Sequence, residues 1–175
     1  AFAAQSFSVT PDIITMAKGM TNGAVPMAAV AVQDHIYETV VNASPDNAID
    51  MFHGYTYSGH PTACAAGLAA LDIYEKENLF ERAAELAPYF LDQVFSLQDI
   101  DVVTDIRGYG LIAGFDVAQG AATGVRGTQL QKDLFWKGLH VKFTADTGII
   151  APPFISEKQH IDKIVGTIRE TLSEL

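Results

Sequence analysis

Lys18 is the residue whose chemistry the sequence isolates. It lies in TMAKGMTNGAVP, between the apolar run IITMA and a Gly-containing turn. No other Lys or Arg precedes Lys76, although Asp12, Asp34, Glu38, Asp46, Asp50, Asp72 and Glu75 share that span. An amine with few cationic neighbours and an apolar surround has its charged form disfavoured, which lowers its pKa and frees it as a nucleophile. A Schiff base with a carbonyl needs such an amine, whether the carbonyl belongs to a sugar, a keto acid or pyridoxal phosphate. The plain alternative is a strand-end lysine that keeps its stem on apolar surface and its ammonium in water.

A second candidate is HGYTYSGHP, residues 53–61. A Thr56 hydroxyl, backbone N–H groups in a Gly-containing loop and the start of a helix can together seat a phosphate, because helix starts present unpaired donors to anions. The same turn formers and aromatics also suit a loop that merely packs. His53 and His60 have no partner at metal-ligand spacing, and neither HxxxH nor CxxC occurs, so no metal site is expected. No G-x-S-x-G elbow supports a Ser/His/Asp hydrolase.

Composition narrows the classes further. A formal net charge of -10 over 175 residues argues against a nucleic-acid footprint, which needs clustered Lys and Arg. Small-molecule or protein partners fit better. Hydrophobic residues make up 49% of the chain, enough to bury a substantial core. Cys64 is the single cysteine and no secretory leader pattern opens the chain, so a cytoplasmic setting is the default expectation. AAVAV and ACAAGLAAL fall far short of the roughly 20 apolar residues of a membrane-spanning helix. NAS at Asn42 then reads as a plain loop. The chain begins without Met and enters apolar residues at once, which reads as a fragment cut inside a domain.

Elements that would position these groups follow from pattern. DIITMA and MAAVAV read as short buried strands around the turn GMTNGAVP, placing Lys18 at a strand mouth. Residues 33–41 are helical and NASPDNAID is a surface loop. A helix starts near Ser58, its expected N-cap, with Pro61 in the first turn; Ala63, Ala66, Gly67 and Ala70 let it approach a neighbour closely. LFERAAELAPYFLDQVFSL is a second helix in which Pro88 marks a kink or a break. DVVTDIR and GLIAGFDVA are strands joined by GYG, TQLQKDLFWKG is a helix, and LHVKF and GIIAP are strands. The closing helix carries capping-box spacing at Ser156 and Gln159 and a stripe of Ile161, Ile164, Val165, Ile168 and Leu172. The whole reads as α/β: residues 1–85 as part of a larger domain and 86–175 as a small C-terminal domain, with the boundary in the helical region 78–98.

Taken in order, TPDIITMAKGMTNGAVPMAAVAV, HGYTYSGHPTACAAGLAALDIYEKENL, DIRGYGLIAGFD and APP before a closing helix resemble the class III aminotransferases, which are pyridoxal-phosphate enzymes of fold type I. GYTYSGHP is most similar to the ω-amino acid:pyruvate (β-alanine:pyruvate) branch. The resemblance covers the whole chain. It implies part of the large cofactor domain followed by the small C-terminal domain. Lys18 would form the Schiff base with pyridoxal 5'-phosphate, then carry a proton between substrate and cofactor in a ping-pong transfer from an amine donor to pyruvate. Tyr55 and Thr56 match positions that reach the cofactor phosphate across the interface of a homodimer, Thr56 completing the partner subunit's site. An aminomutase or another pyridoxal-phosphate enzyme of this fold would share Lys18. A catalytically inactive fragment retaining dimer contacts is the different-class alternative.

The departures are informative too. In the family, the phosphate loop, a ring-stacking aromatic and an Asp for the ring nitrogen precede the segment where this chain starts, so the chain alone is expected to be inactive. Similar proteins place an Arg where LHVKF has Lys142, and others in the class place one where this chain has Ile149. Lys142 is therefore the candidate substrate-carboxylate group, as a point charge where Arg would give a bidentate grip. Arg107 is the remaining nearby cation, with pairing to Asp105 or to a backbone carbonyl as the plain alternative.

Overall fold

The computed structural model describes residues 2–48, 51 and 54–175 and divides into two compact units, Ala1–Asn78 and Leu79–Leu175. In the first, a short helix α1 (Ala3–Ser6) precedes strand β1 (Ile13–Ala17), whose β-branched residues suit an extended chain. β1 pairs antiparallel with β2 (Ala28–Val32), from Ile13 opposite Val32 to Ala17 opposite Ala28. Helix α2 (Asp34–Asn42) follows directly, and its N-cap Gln33 is tied back to the start of β1 through the Asp12 carbonyl at 3.0 Å. The sequence suggested buried strands here, but Ile13 and Val30 are 53% and 63% exposed, because each strand of this two-stranded sheet has only the other beside it among the described residues.

Helix α3 (Pro61–Lys76) begins three residues after Ser58. Its N-cap is His60, with Pro61 at the first helical position, where a missing N–H costs nothing. Ser58 instead closes a turn, its N–H on the Tyr55 carbonyl at 3.0 Å. The small face of α3 does the packing: Ala63, Gly67 and Ala70 are buried. A Cβ at Gly67 would stand 3.4 Å from Met27 Sδ and 3.5 Å from the Met20 carbonyl, ordinary contact distances, so α3 packs against the segment that joins β1 to β2 without a close approach that requires glycine. Among the described residues of this unit the buried apolar side chains are Ala63 and Ala70 alone, while Leu68, Leu71 and Ile73 on α3 are exposed.

The second unit carries a full core. Helix α4 (Leu79–Phe95) runs through Pro88 without a break, although Pro88 has no N–H to offer the Ala84 carbonyl. Strands β3 (Val103–Tyr109) and β4 (Ile112–Val117) form a hairpin turning at Gly110, whose φ of +57° favours glycine. Helix α5 (Val125–Trp136), strands β5 (Lys142–Thr144) and β6 (Thr147–Ile150) and helix α6 (Lys158–Ser173) complete it. The antiparallel sheet has the order β3-β4-β6-β5. Phe90, Val94, Leu97, Ile106, Phe115, Leu130, Leu134, Ile161 and Ile168 fill the space between its inner face and the helices. The predicted stripe on α6 is buried at Ile161, Val165, Ile168 and Leu172 and half-buried at Ile164.

The α6 cap lies one residue beyond the predicted box: Glu157 is the N-cap, and its N–H donates to His160 Nδ1 at 2.9 Å. Ser156 precedes the cap, in a loop whose Phe154, Ile155 and Ser156 carbonyls accept from the Arg82 guanidinium at 3.1–3.2 Å. α5 starts at Gly124, which takes a φ of +80°. Its cap comes from elsewhere in the chain: Asp146, in the β5–β6 turn, accepts from Gly124 N–H at 2.7 Å and Gly127 N–H at 2.9 Å. These two donors, Gly124 first, hold the Asp146 carboxyl below its ordinary pKa.

Candidate active site

Lys18 ends β1 at a sharp corner, the first residue of a single 3-10 turn through Met20. Its φ is +54°, a left-handed conformation that L-residues with long side chains seldom take. The corner is held from outside. Tyr74 on α3 donates to the Gly19 carbonyl at 2.7 Å, and the buried Thr21 hydroxyl donates to the Val25 carbonyl at 2.6 Å. The ammonium has no hydrogen-bond or ion-pair partner among the described residues. Lys18 is exposed, so the apolar surround suggested by its sequence neighbours is not formed within this unit.

Tyr55 and Thr56 lie elsewhere in the same unit, on a cleft of about 630 Å³. One wall is Val25–Ala28, the stretch entering β2; the other is the loop 55–60 with Ala63 and Cys64 at the start of α3. Tyr55 is in the left-handed region too, at φ +50°, and its hydroxyl meets Met51 Sδ at 3.3 Å. Exposed Thr56 and Ser58 hydroxyls stand with the first N–H groups of α3, which have no partner within the helix. This donor set suits a phosphate. Lys18 is not part of that lining, so the cleft and the amine are separate features of the unit. His53 lies outside the described residues.

In the second unit, Lys142 opens β5 and is exposed. Strand register places it in a row across the sheet: Lys142 opposite Ile149, Ile149 opposite Gly114, and Gly114 opposite Arg107. The row lies on the face away from the core, where neighbouring partners share a side. Arg107 is fully engaged there. It meets Asp105 at 2.6 Å and grips both Asp116 oxygens at 3.0 and 3.1 Å, while Thr147 donates to Asp116 at 2.7 Å. The Arg107 pair lowers the Asp116 pKa, and Asp116 and then Asp105 raise that of Arg107. Lys142 has no such partner among the described residues and is the available cation of the row. Sequence reasoning did not find the row, because register is a property of pairing. Nor did it find Asp146, although an Asp between two short strand patterns is itself a turn signal.

The class III aminotransferase family model matches residues 1–172. The chain is 47% identical to an omega-aminotransferase of Caulobacter vibrioides, over 99% of this chain and 40% of the relative. It is 43% identical to a beta-alanine–pyruvate aminotransferase of Pseudomonas aeruginosa, over 97% and 38% respectively. Among solved structures, a thermostable (S)-enantioselective omega-transaminase from Thermomicrobium roseum superposes with a TM-score of 0.85 at 35% identity, over 98% of this chain and 39% of that one. The chain therefore spans about two-fifths of the length of the relatives it matches. With its α/β architecture that of the fold type I transaminases, the chain belongs to the class III aminotransferases.

Proposed function

We propose that this chain forms the lysine-bearing and C-terminal portion of a pyridoxal-phosphate-dependent transaminase that moves an amino group from an ω-amino acid or amine to pyruvate. The observation that carries the reading is the Lys18 corner: an unpartnered amine on a left-handed backbone, fixed by Tyr74 and Thr21. Strain retained at one side chain is a signature of a site that needs that side chain aimed. The relatives' names supply the substrate class.

Pyridoxal phosphate, when bound, supplies an aldehyde to accept the amino group and an electron sink that acidifies the adjoining carbon. Lys18 would be the amine that holds the cofactor's aldehyde, and as a free amine would be the acid and base that moves a proton at the substrate carbon. Tyr55 and Thr56, with the start of α3, hold the phosphate. By the family resemblance Thr56 serves the partner subunit's cofactor and Lys18 its own, in a homodimer; the separation of Lys18 from the cleft lining agrees with that division. Lys142 binds the donor carboxylate as a point charge. The reaction runs as two half-reactions, donor first and keto acid second, in a cytoplasmic enzyme.

Borohydride reduction in the presence of pyridoxal phosphate, followed by peptide mapping, tests the assignment in the full-length protein. A label on Lys18 is expected; its absence overturns the role given to this residue. Pyruvate consumption by the unreduced holoenzyme separates transamination from an isomerising amine transfer.

A further inference from the structure

We propose that Gln131 is a positioning residue for Lys142, and so sets the grip on carboxylate-bearing donors. The inference rests on the reading of Lys142 given above. β5 is three residues long and lies at the sheet edge, paired among the described residues only with β6. Edge strands of that length fray unless their outer groups are satisfied. Here the outward Phe143 N–H donates to Gln131 Oε1 on α5 at 3.2 Å, the single hydrogen bond of the Gln131 side chain among the described residues. The Phe143 ring meanwhile packs edge-on against Phe115, with centroids 5.7 Å apart. With its ring in the core and its N–H on α5, Phe143 leaves its neighbours Lys142 and Thr144 on the opposite face.

One turn earlier on α5, Gly127 lies against the hairpin that follows β5. A Cβ there would come 1.9 Å from the Ala145 carbonyl oxygen, and the Gly127 N–H binds Asp146. Gly127 and Gln131 are four residues apart and share a helix face. β5 is thus fastened to α5 at its central residue and at the turn that follows it, and the Gln131 bond is the one next to Lys142. Releasing it would let the Lys142 Cα wander, and a point charge held less accurately binds a carboxylate less well without altering the chemistry at the amine.

The test uses full-length enzyme with Gln131→Met, Gln131→Glu and Lys142→Ala, assayed with β-alanine and with propylamine, which lacks the carboxylate. Gln131→Met is expected to raise KM for β-alanine roughly three- to tenfold, leaving KM for propylamine and both kcat values unchanged. Gln131→Glu keeps an acceptor for the Phe143 N–H and should restore the wild-type KM. Amide hydrogen exchange at Phe143 should quicken in the Met variant and not in the Glu variant. If Lys142→Ala raises KM for β-alanine but Gln131→Met does not, the positioning role is wrong and the Lys142 reading survives. If Lys142→Ala has no donor-selective effect, both are overturned. Equal losses on the two donors in Gln131→Met reduce the residue to a structural one and also overturn the proposal.

Discussion

Lys142 on β5 and Ile149 on β6 are register partners, side by side on the sheet face that points away from the core. The resemblance places an Arg at one or the other of these positions in different aminotransferases. Register makes them two routes to one place, since directly opposed Cβ atoms lie about 4.5–5.5 Å apart. An Arg from either strand could reach the same anion.

That equivalence can be tested by moving the charge. Lys142→Ala should weaken carboxylate-bearing donors, and Ile149→Arg added to it should recover them. Arg107 is no obstacle, because Asp105 and Asp116 offset its charge. Lys142→Arg alone should tighten them by about 1.4 kcal/mol, or roughly tenfold in KM, if the fork binds bidentately. Donors without a carboxylate serve as the control in each case.

Mixed dimers test the division of labour between Lys18 and Thr56. One subunit carries Lys18→Ala and the other Thr56→Ala. If Thr56 serves the partner's cofactor, the heterodimer keeps one intact site and recovers about half of the wild-type activity, while both homodimers stay impaired. Activity at the average of the two homodimers would place both residues in one subunit's site.

The left-handed backbone at Lys18 predicts a trade of stability against function. Gly adopts a φ near +54° without the Cβ penalty, so Lys18→Gly should stabilise the fold by roughly 0.5–1 kcal/mol while abolishing transfer. Denaturant unfolding of the apoprotein measures the gain. A loss of stability would show that the lysine stem makes contacts worth more than the strain.

Asp146 gives a pH signature. Its carboxyl is held below the ordinary 3.8 by the N–H groups of Gly124 and Gly127, so its folded-state pKa is depressed. The stabilisation is fully present above the unfolded value and is lost as pH falls through the folded one. Asp146→Ala should therefore lower the denaturation midpoint at neutral pH, and the gap to the wild type should close as pH drops below 3.8. A gap that stays constant into the acid range would mean that the carboxylate is not the source.

Pattern alone carried the sequence of elements well. Strands at 13–17 and 28–32, the hairpin around Gly110 and the four longer helices all follow from apolar spacing and turn residues. Caps were less legible. Ser58 and Ser156 have the right chemistry, yet His60 and Glu157 are the N-caps, because Pro61 sets one helix start and the Arg82 grip on the preceding loop sets the other. At the site, Lys18 could be read from its charge isolation, and its exposure and left-handed corner could not. The Arg107–Lys142 row was out of reach, since it depends on cross-strand pairing between residues as far apart in number as Gly114 and Ile149. Arg107 itself was read with Asp105 but without Asp116, whose closeness comes only from the β3–β4 pairing.

The unequal sharing of buried apolar residues has a consequence for how the chain comes apart. Leu79–Leu175 holds the entire large cluster from Leu86 to Leu172, whereas the described part of the first unit buries only two alanines. Cooperative unfolding requires a core, so the two halves should not melt as one. Brief digestion by a broad-specificity protease is expected to trim the chain towards Asn78 and leave the remainder resistant, giving a soluble piece in which the β5–α5 fastening can be followed by NMR.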